Sequence, residues 1–443
     1  MTTSLRRLFR NSGILLLGAG LNAGISLVQS VLVAGILGPE GLGVVAGALA
    51  LPTLCAGLLG FRTSEALSSL YTSRAAEGDS AACGRLLAGS LAADLVSALV
   101  TFACCALLYA TSVFPKGLAG EGEFLTLLYC GVFLFLPFIT LGTAILRESN
   151  RYKWLSIVPV LASLAQLMWV AFYAHFGTLT PLFVVLSYFV AQGCQALIFI
   201  VLGLRLVKFR VGVSAQDVIS HLLRGSFFKE RAFISVLRAS YFSGSLTAII
   251  KNGDLVLLGA ISGSAEVGCY RIAKQLVGLL QTAGASLSGV VFQDFNHHWA
   301  RGESAEKMLW HVRRMMRFWG PLVAGGVIAA WYAIPGVIDI LYGGAFAPAV
   351  SHFRILIFGI GVVTAFFWSQ PLALSLGGWG LQSRVSLVAV AVFLVIGVGL
   401  AESLGARGVV IGVSASWATG TLLFVIFGLT KLRRLSKVAT SQR

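Results

Sequence analysis

Four ionisable side chains stand where apolar residues are expected. Lys251, Asp254, Arg271 and Lys274 lie in two long apolar stretches joined by the turn Ser262-Gly263-Ser264-Ala265-Glu266. Charge in such surroundings is costly, and where it persists it faces an interior or a wet cavity. Ser240, Ser243, Thr247, Lys251 and Asp254 recur at steps of three and four, which places them on one stripe of a helix. Arg271, Lys274, Gly278, Gln281, Ala285 and Ser288 do the same on the next. Two such stripes predict a hydrated wall with an excess of positive charge. The chemistry this suits is the holding of an anion. Phosphate is the natural candidate, because Lys and Arg supply both charge and donors to its oxygens. The simpler alternative is a staple, in which Asp254 pairs with Arg271 or Lys274. That pairing leaves two of the three cations to be explained.

The elements carrying these residues follow from composition. Of 443 residues 57% are hydrophobic and 11% charged, and mean hydropathy is +0.88. Soluble domains carry about a quarter charged residues, so this is an all-α polytopic membrane protein. A span needs ~20 apolar residues. Twelve candidates occur, at roughly 14–37, 41–61, 86–112, 124–146, 154–175, 180–206, 239–262, 267–292, 318–341, 355–378, 384–404 and 408–430. Counting 1.5 Å per residue from the turn puts Arg271 and Lys274 roughly 6–12 Å deep, Asp254 roughly 12 Å, and Lys251 near the midplane.

An even number of spans puts both termini on one side. Of the 33 Lys and Arg residues, only Lys116, Arg354 and Arg407 fall in the opposite loops, and Lys251, Arg271 and Lys274 fall inside spans. All others line the terminal side, which the positive-inside rule makes cytoplasmic. The net charge of +16 is thereby assigned to an anionic inner leaflet and not to nucleic acid. Arg6, Arg7 and Arg10 precede an apolar run too long for a cleaved signal, so a retained first helix is expected. The seven cysteines show no CxxC spacing, six lie in or beside spans and Cys83 is expected at the cytoplasmic face, so no disulfides are expected.

Along the chain, Gly18, Asn22, Ser26 and Gln29 share a face of the first span, where small residues suit a helix–helix contact. Gly18-Ala19-Gly20 lacks the preceding strand a dinucleotide fingerprint requires. A tight outer turn is expected at Gly38-Pro39-Glu40-Gly41-Leu42-Gly43, and Pro52 predicts a kink. Arg62 and Glu65, three apart, either pair near the inner surface or snorkel. Over 207–238 a polar stretch with Val218, Ile219, Leu222, Leu223 and Phe227 on one face predicts an interfacial helix on the inner leaflet. His297, His298 and His311 lack metal-ligand spacing and are expected on a solvated face.

Three weak matches at nearly one offset point to an internal repeat: Leu42-Gly43 with Val267-Gly268, Glu77-Gly78-Asp79-Ser80-Ala81 with Arg301-Gly302-Glu303-Ser304-Ala305, and Phe176-Gly177 with Leu404-Gly405. The expected organisation is a six-helix lobe at 1–206, the linker at 207–238, a second six-helix lobe at 239–430 and a basic tail at 431–443. Six spans per lobe make the repeats parallel.

Gly35-Ile36-Leu37-Gly38-Pro39-Glu40-Gly41-Leu42-Gly43 resembles the first outer turn of bacterial polysaccharide transporters, the oligosaccharide flippases of the MATE-like superfamily. Asp254-Leu255-Val256-Leu257-Leu258-Gly259, with Ala265 to Ala273, resembles the hairpin opening their second half. Tyr342 to Pro348 and Leu404-Gly405-Ala406-Arg407-Gly408 fit the same pattern. The resemblance covers nearly the whole chain, carried by order and spacing. It implies two six-helix lobes around a cationic cavity bordered by helices 1, 2, 7 and 8. Such proteins pass a polyprenyl-pyrophosphate-linked oligosaccharide across the cytoplasmic membrane by alternating access. Under this expectation Lys251, Asp254, Arg271, Lys274, Gln281, Asn22, Gln29, Arg62 and Glu65 line the cavity. No cofactor is implied, and Asp254 is a point of coupling to H+ or Na+. The expected partners are the lipid-linked glycan, membrane lipids, and polysaccharide polymerase or glycosyltransferases.

Peptidoglycan-precursor flippases usually have fourteen spans, against twelve here. A glycosyltransferase or polymerase would need an acidic metal site or a sizeable outer loop, and neither is present in the sequence. A multidrug antiporter of the same superfamily is the main rival, though its cationic substrates would favour an acidic cavity. A membrane scaffold would not need polar stripes at mid-membrane depth.

Overall fold

The computed structural model describes residues 2–61, 63–111, 121–225, 230–300 and 304–441. Among these every regular element is helical, as a bilayer demands, since a helix satisfies its own backbone. Among the described residues ten helices are long and apolar enough to cross a membrane. Their lipid-facing sides carry exposed Leu17, Leu21, Met168, Phe172, Tyr332, Ile340 and Val395.

The first helix, α1 (Thr2–Leu59), holds two expected spans in one element of 58 residues. The expected outer turn is reduced to a kink at Gly38, with φ 65° and ψ −175°. That backbone region is open to glycine almost alone. Pro39 follows, its missing N–H being no loss at the start of the second arm.

Then come α2 (Thr63–Ala76) and α3 (Ser80–Ala110), the latter capped by Asp79, whose side chain accepts from the Ala82 N–H at 2.8 Å. Next, α4 (Glu121–Cys130) runs through a 3-10 turn at Gly131–Phe135 into α5 (Leu136–Glu148), so this span is broken ahead of Pro137. It is followed by α6 (Tyr152–His175) and α7 (Pro181–Val211), which stops at left-handed Gly212. The short α8 (Ala215–Leu223) occupies the expected interfacial stretch. Val218 is buried there, while Ile219 and Leu223 are exposed. Phe227 and Lys229 lie outside the described residues.

After α9 (Arg231–Ile261) and α10 (Ser264–Ala300) come α11 (Ala305–Tyr342), a 3-10 turn at Gly344–Phe346, and α12 (Pro348–Ala365). The chain ends in α13 (Ser369–Ser375), α14 (Trp379–Leu404) and α15 (Ala406–Ser441). The eighth expected span, 267–292, falls on α10, whose apolar run is interrupted by Arg271 and Lys274.

The chain forms two compact units, Met1–Ala265 and Glu266–Arg443. In the first, α9 packs on α1: Ser245 donates to the Leu58 carbonyl at 2.9 Å, and a Cβ on Gly57 would stand 2.5 Å from that of Ala248. Leu86, Leu87, Ala144, Val207, Val218 and Phe233 gather α3, α5, α7, α8 and α9 into one cluster. Cys83, expected at the cytoplasmic face, is fully buried there because α8 covers it. In the second unit Phe295, Met308, Val312, Trp368, Leu372 and Leu432 form the core. Here α15 is joined to α12 by Ser414, which accepts from the Gly359 N–H and donates to the Ile355 carbonyl, both at 2.9 Å. Those two groups are one turn apart, so a single hydroxyl reads a single turn.

Candidate functional site

On α10 the sequence separates two faces. Cys269, Tyr270, Ile272, Ala273, Leu276 and Val277 are buried in the second unit. Arg271, Lys274 and Gly278 are half-buried on the opposite stripe, and Gln281, farther along it, is exposed. Periodicity thus predicts the stripe correctly, because an α-helix returns to the same face every three or four residues.

The head of α10 is fixed by a contact that periodicity does not show. Glu266, in its first turn, meets the Nε2 of His352 on α12 at 2.9 Å. A carboxylate there is favoured by the helix dipole. The His352 side chain is 0% exposed, and the Tyr270 ring lies edge-on to it with centroids 5.9 Å apart. The signal available in the sequence was a histidine inside an apolar segment, four residues after Pro348. Nothing local named its partner.

On α9 in the first unit, Lys251 is exposed, Thr247 half-buried and Asp254 0% exposed. The Asp254 carboxylate accepts from the Leu255 N–H at 2.8 Å. The Ser240 and Ser243 side chains lie outside the described residues. The turn after α9 rests on α1, where a Cβ on Gly43 would fall 1.7 Å from the Ser264 carbonyl oxygen.

The polar face of α1 is a seam against α6. Ser156 fills the space over Gly18 and donates to the Ile14 carbonyl at 2.8 Å. Ser163 donates to the Asn22 side-chain oxygen. Gln29, on the same face, is half-buried. Small residues at a helix contact explain Gly18, and Asn22 adds a hydrogen bond to the same contact. Arg62 and the Glu65 side chain lie outside the described residues.

The sequence reading passed over Asp94, a carboxylate inside the third span. It is buried and accepts from the Thr63 hydroxyl at 2.7 Å. A single acid in an apolar run was the available signal. Also missed was the ion pair between Arg85 and Glu230, 2.9 Å apart, which ties α3 to the start of α9. Of the three histidines, His298 and His311 have ring centroids 4.9 Å apart, and His298 lies 3.4 Å from Asp294. His297 has its side chain outside the described residues. Among the described residues no group of three His, Cys, Asp or Glu side chains could hold a metal ion.

No curated protein sequence matches the chain. Its fold is similar to an inward-facing multidrug resistance MATE family transporter of the MOP superfamily, with TM-score 0.68, 17% identity, and 94% of this chain and 96% of that one covered. It is similar to the lipid II flippase MurJ in an inward closed conformation, with TM-score 0.70, 13% identity and coverage of 95% and 89%. A Vibrio cholerae MATE transporter, VcmN, gives TM-score 0.60 and 15% identity, with 97% of each chain covered. The sequence profile of the family described as polysaccharide biosynthesis protein matches residues 8–292. A multi-pass helical membrane protein with this MATE-like fold and with this profile over more than half its length belongs to the polysaccharide biosynthesis protein family.

Proposed function

We propose that the protein translocates a polyprenyl-pyrophosphate-linked oligosaccharide across the bacterial cytoplasmic membrane for cell-surface polysaccharide synthesis. The observation that carries this reading is the polysaccharide-biosynthesis profile over residues 8–292. It is supported by the basic stripe on α10, whose Arg271 and Lys274 turn away from the core of their own unit. Guanidinium and ammonium groups suit the pyrophosphate, while amides and hydroxyls such as Gln281, Gln29 and Thr247 suit a sugar chain, Asn22 being taken up by the contact with α6. In this reading Lys251, Arg271 and Lys274 draw the head group outward, the basic Arg62, with Arg224 nearby, receives it at the inner surface, and the lipid tail stays in the bilayer. Alternating access moves the site between leaflets, Asp254 is a point of coupling to H+ or Na+, and both termini are cytoplasmic.

A second reading, multidrug antiport, is favoured by the solved MATE transporters that share the fold at 17% identity. One experiment separates the two. The protein is reconstituted in vesicles carrying a fluorescent polyprenyl-pyrophosphate oligosaccharide, and in parallel vesicles loaded with a cationic dye. Movement of the lipid-linked sugar without dye efflux supports the flippase. Dye efflux under a proton or sodium gradient, with no lipid movement, overturns it in favour of antiport. In cells, Arg271→Gln or Lys274→Gln lowers polymer export at least about tenfold, a loss of ~1.4 kcal/mol or more, with membrane insertion unchanged. Full export by the Lys251→Gln, Arg271→Gln, Lys274→Gln triple variant would defeat the cationic site.

A further inference from the structure

The last two helices, α14 and α15, run antiparallel and meet backbone to backbone near their junction. A Cβ on Gly412 would lie 2.6 Å from the Cα of Gly397, and one on Gly408 would lie 2.4 Å from the Leu400 carbonyl oxygen. Farther from the junction the contact loosens: a Cβ on Gly420 would stand 3.7 Å from the Ala389 and Val385 side chains, an ordinary van der Waals distance. There a groove of about 790 Å3 opens between the helices. Its lining residues recur at helical spacing: Arg384 and Val388 on α14, and Ile426, Phe427, Lys431 and Arg434 on α15. The walls are apolar, the mouth holds three cations, and none of the lining residues is acidic.

Basic residues at a helix end ordinarily snorkel to the interface as anchors. Arg433 fits that account, since it is exposed and does not line the groove. Lys431 does not fit it. Its ammonium donates to the Leu376 carbonyl and stands 5.7 Å from the Phe427 ring centroid, so it is held within the lining of the groove. The groove therefore has a fixed cation, two exposed cations at its rim, and an apolar channel leading away from them.

We infer that this groove holds an anionic glycerophospholipid, its phosphate on Arg384, Lys431 and Arg434 and one acyl chain along Val388, Ile426 and Phe427. Charge complementarity selects an anion, and the apolar walls select one that carries a chain. The inner leaflet supplies such lipids in abundance, and basic pockets between spanning helices take their head groups. The groove shares no residue with the cations of α9 and α10, so its occupant is a resident lipid and not the translocated one.

The test uses the full-length protein, delipidated in neutral detergent. Phosphatidylglycerol or phosphatidylcholine is added, with retained lipid counted by native mass spectrometry and the thermal midpoint followed in parallel. Phosphatidylglycerol is expected to bind and raise the midpoint, while phosphatidylcholine does neither. Each of Arg384→Gln, Lys431→Gln and Arg434→Gln weakens binding roughly fivefold, whereas Arg433→Gln, with the same loss of charge, leaves it unchanged. Ile426→Trp fills the channel, keeps every cation, and also abolishes retention. The inference is overturned if phosphatidylcholine binds equally, if Arg433→Gln weakens binding as much as the groove variants do, or if Ile426→Trp binds normally. Equal stabilisation by inorganic phosphate would reduce the groove to an ion site. Displacement by an equimolar polyprenyl phosphate would make it a carrier site.

Discussion

At the scale of single residues, close packing within the first unit concentrates sensitivity at positions that look unremarkable. Gly43 is one. The Ser264 carbonyl oxygen occupies the place where its side chain would begin, and a backbone oxygen cannot swing aside as a flexible side chain can. Gly43→Val is therefore expected to cost at least ~1–3 kcal/mol, seen as a lower thermal midpoint and poorer recovery from membranes. Asp94 is another. With Thr63 fully buried beside it, Asp94→Ala strands a hydroxyl away from water at about 1–3 kcal/mol. Asp94→Asn keeps an acceptor and should retain most of the stability. Equal losses in both variants would show that the carboxylate charge matters, and not its hydrogen bond. The pair is separated by 31 residues and the His352–Glu266 pair by 86. Each partner is legible as an oddity in an apolar run, but the match between them is set by which helices pack.

At the scale of elements, most of the chain could be read before any coordinates. Apolar runs of the right length locate the spans, because the bilayer fixes how long they must be. The faces of α10 follow from its period. What escaped was the character of the breaks. The outer turn expected around Gly38 is a kink, since one glycine with positive φ redirects the chain without a loop. The single span expected at 124–146 contains a 3-10 turn ahead of Pro137. Local chemistry at α8 was more transparent. The Ser214 hydroxyl accepts from the Asp217 N–H at 3.2 Å, and the Asp217 carboxylate accepts from the Ser214 N–H at 2.7 Å. The Ser214 hydroxyl also donates to the Asp217 carboxylate at 2.7 Å. The bond from the Ser214 N–H first, and this one second, hold the Asp217 carboxyl below the usual carboxylate range. A group whose folded pKa is depressed contributes stability above its unfolded pKa and loses it as pH falls through the folded value. Amide protection factors over residues 215–223, which discount the intrinsic slowing of exchange in acid, should therefore fall as the pH falls through the carboxylate range. Asp217→Asn should exchange faster at neutral pH and show no such step.

At the scale of the whole molecule, the packing of α9 with the first unit means that the ionisable residues of the two polar stripes belong to two compact bodies: Lys251 and Asp254 to one, Arg271 and Lys274 to the other. The match to MOP-superfamily folds at under 20% identity also has a physical basis. Helix lengths, glycine contacts and the placement of kinks preserve a membrane fold while surface residues drift.

The kink at Gly38 carries a constraint of its own. Two membrane crossings joined by a flexible loop can slide past one another, each finding its own depth. Here the first two crossings are hinged at one glycine with no slack on either side. Their mutual angle can change, but a vertical shift of one must drag the other with it, so this corner of the protein can rock but cannot piston.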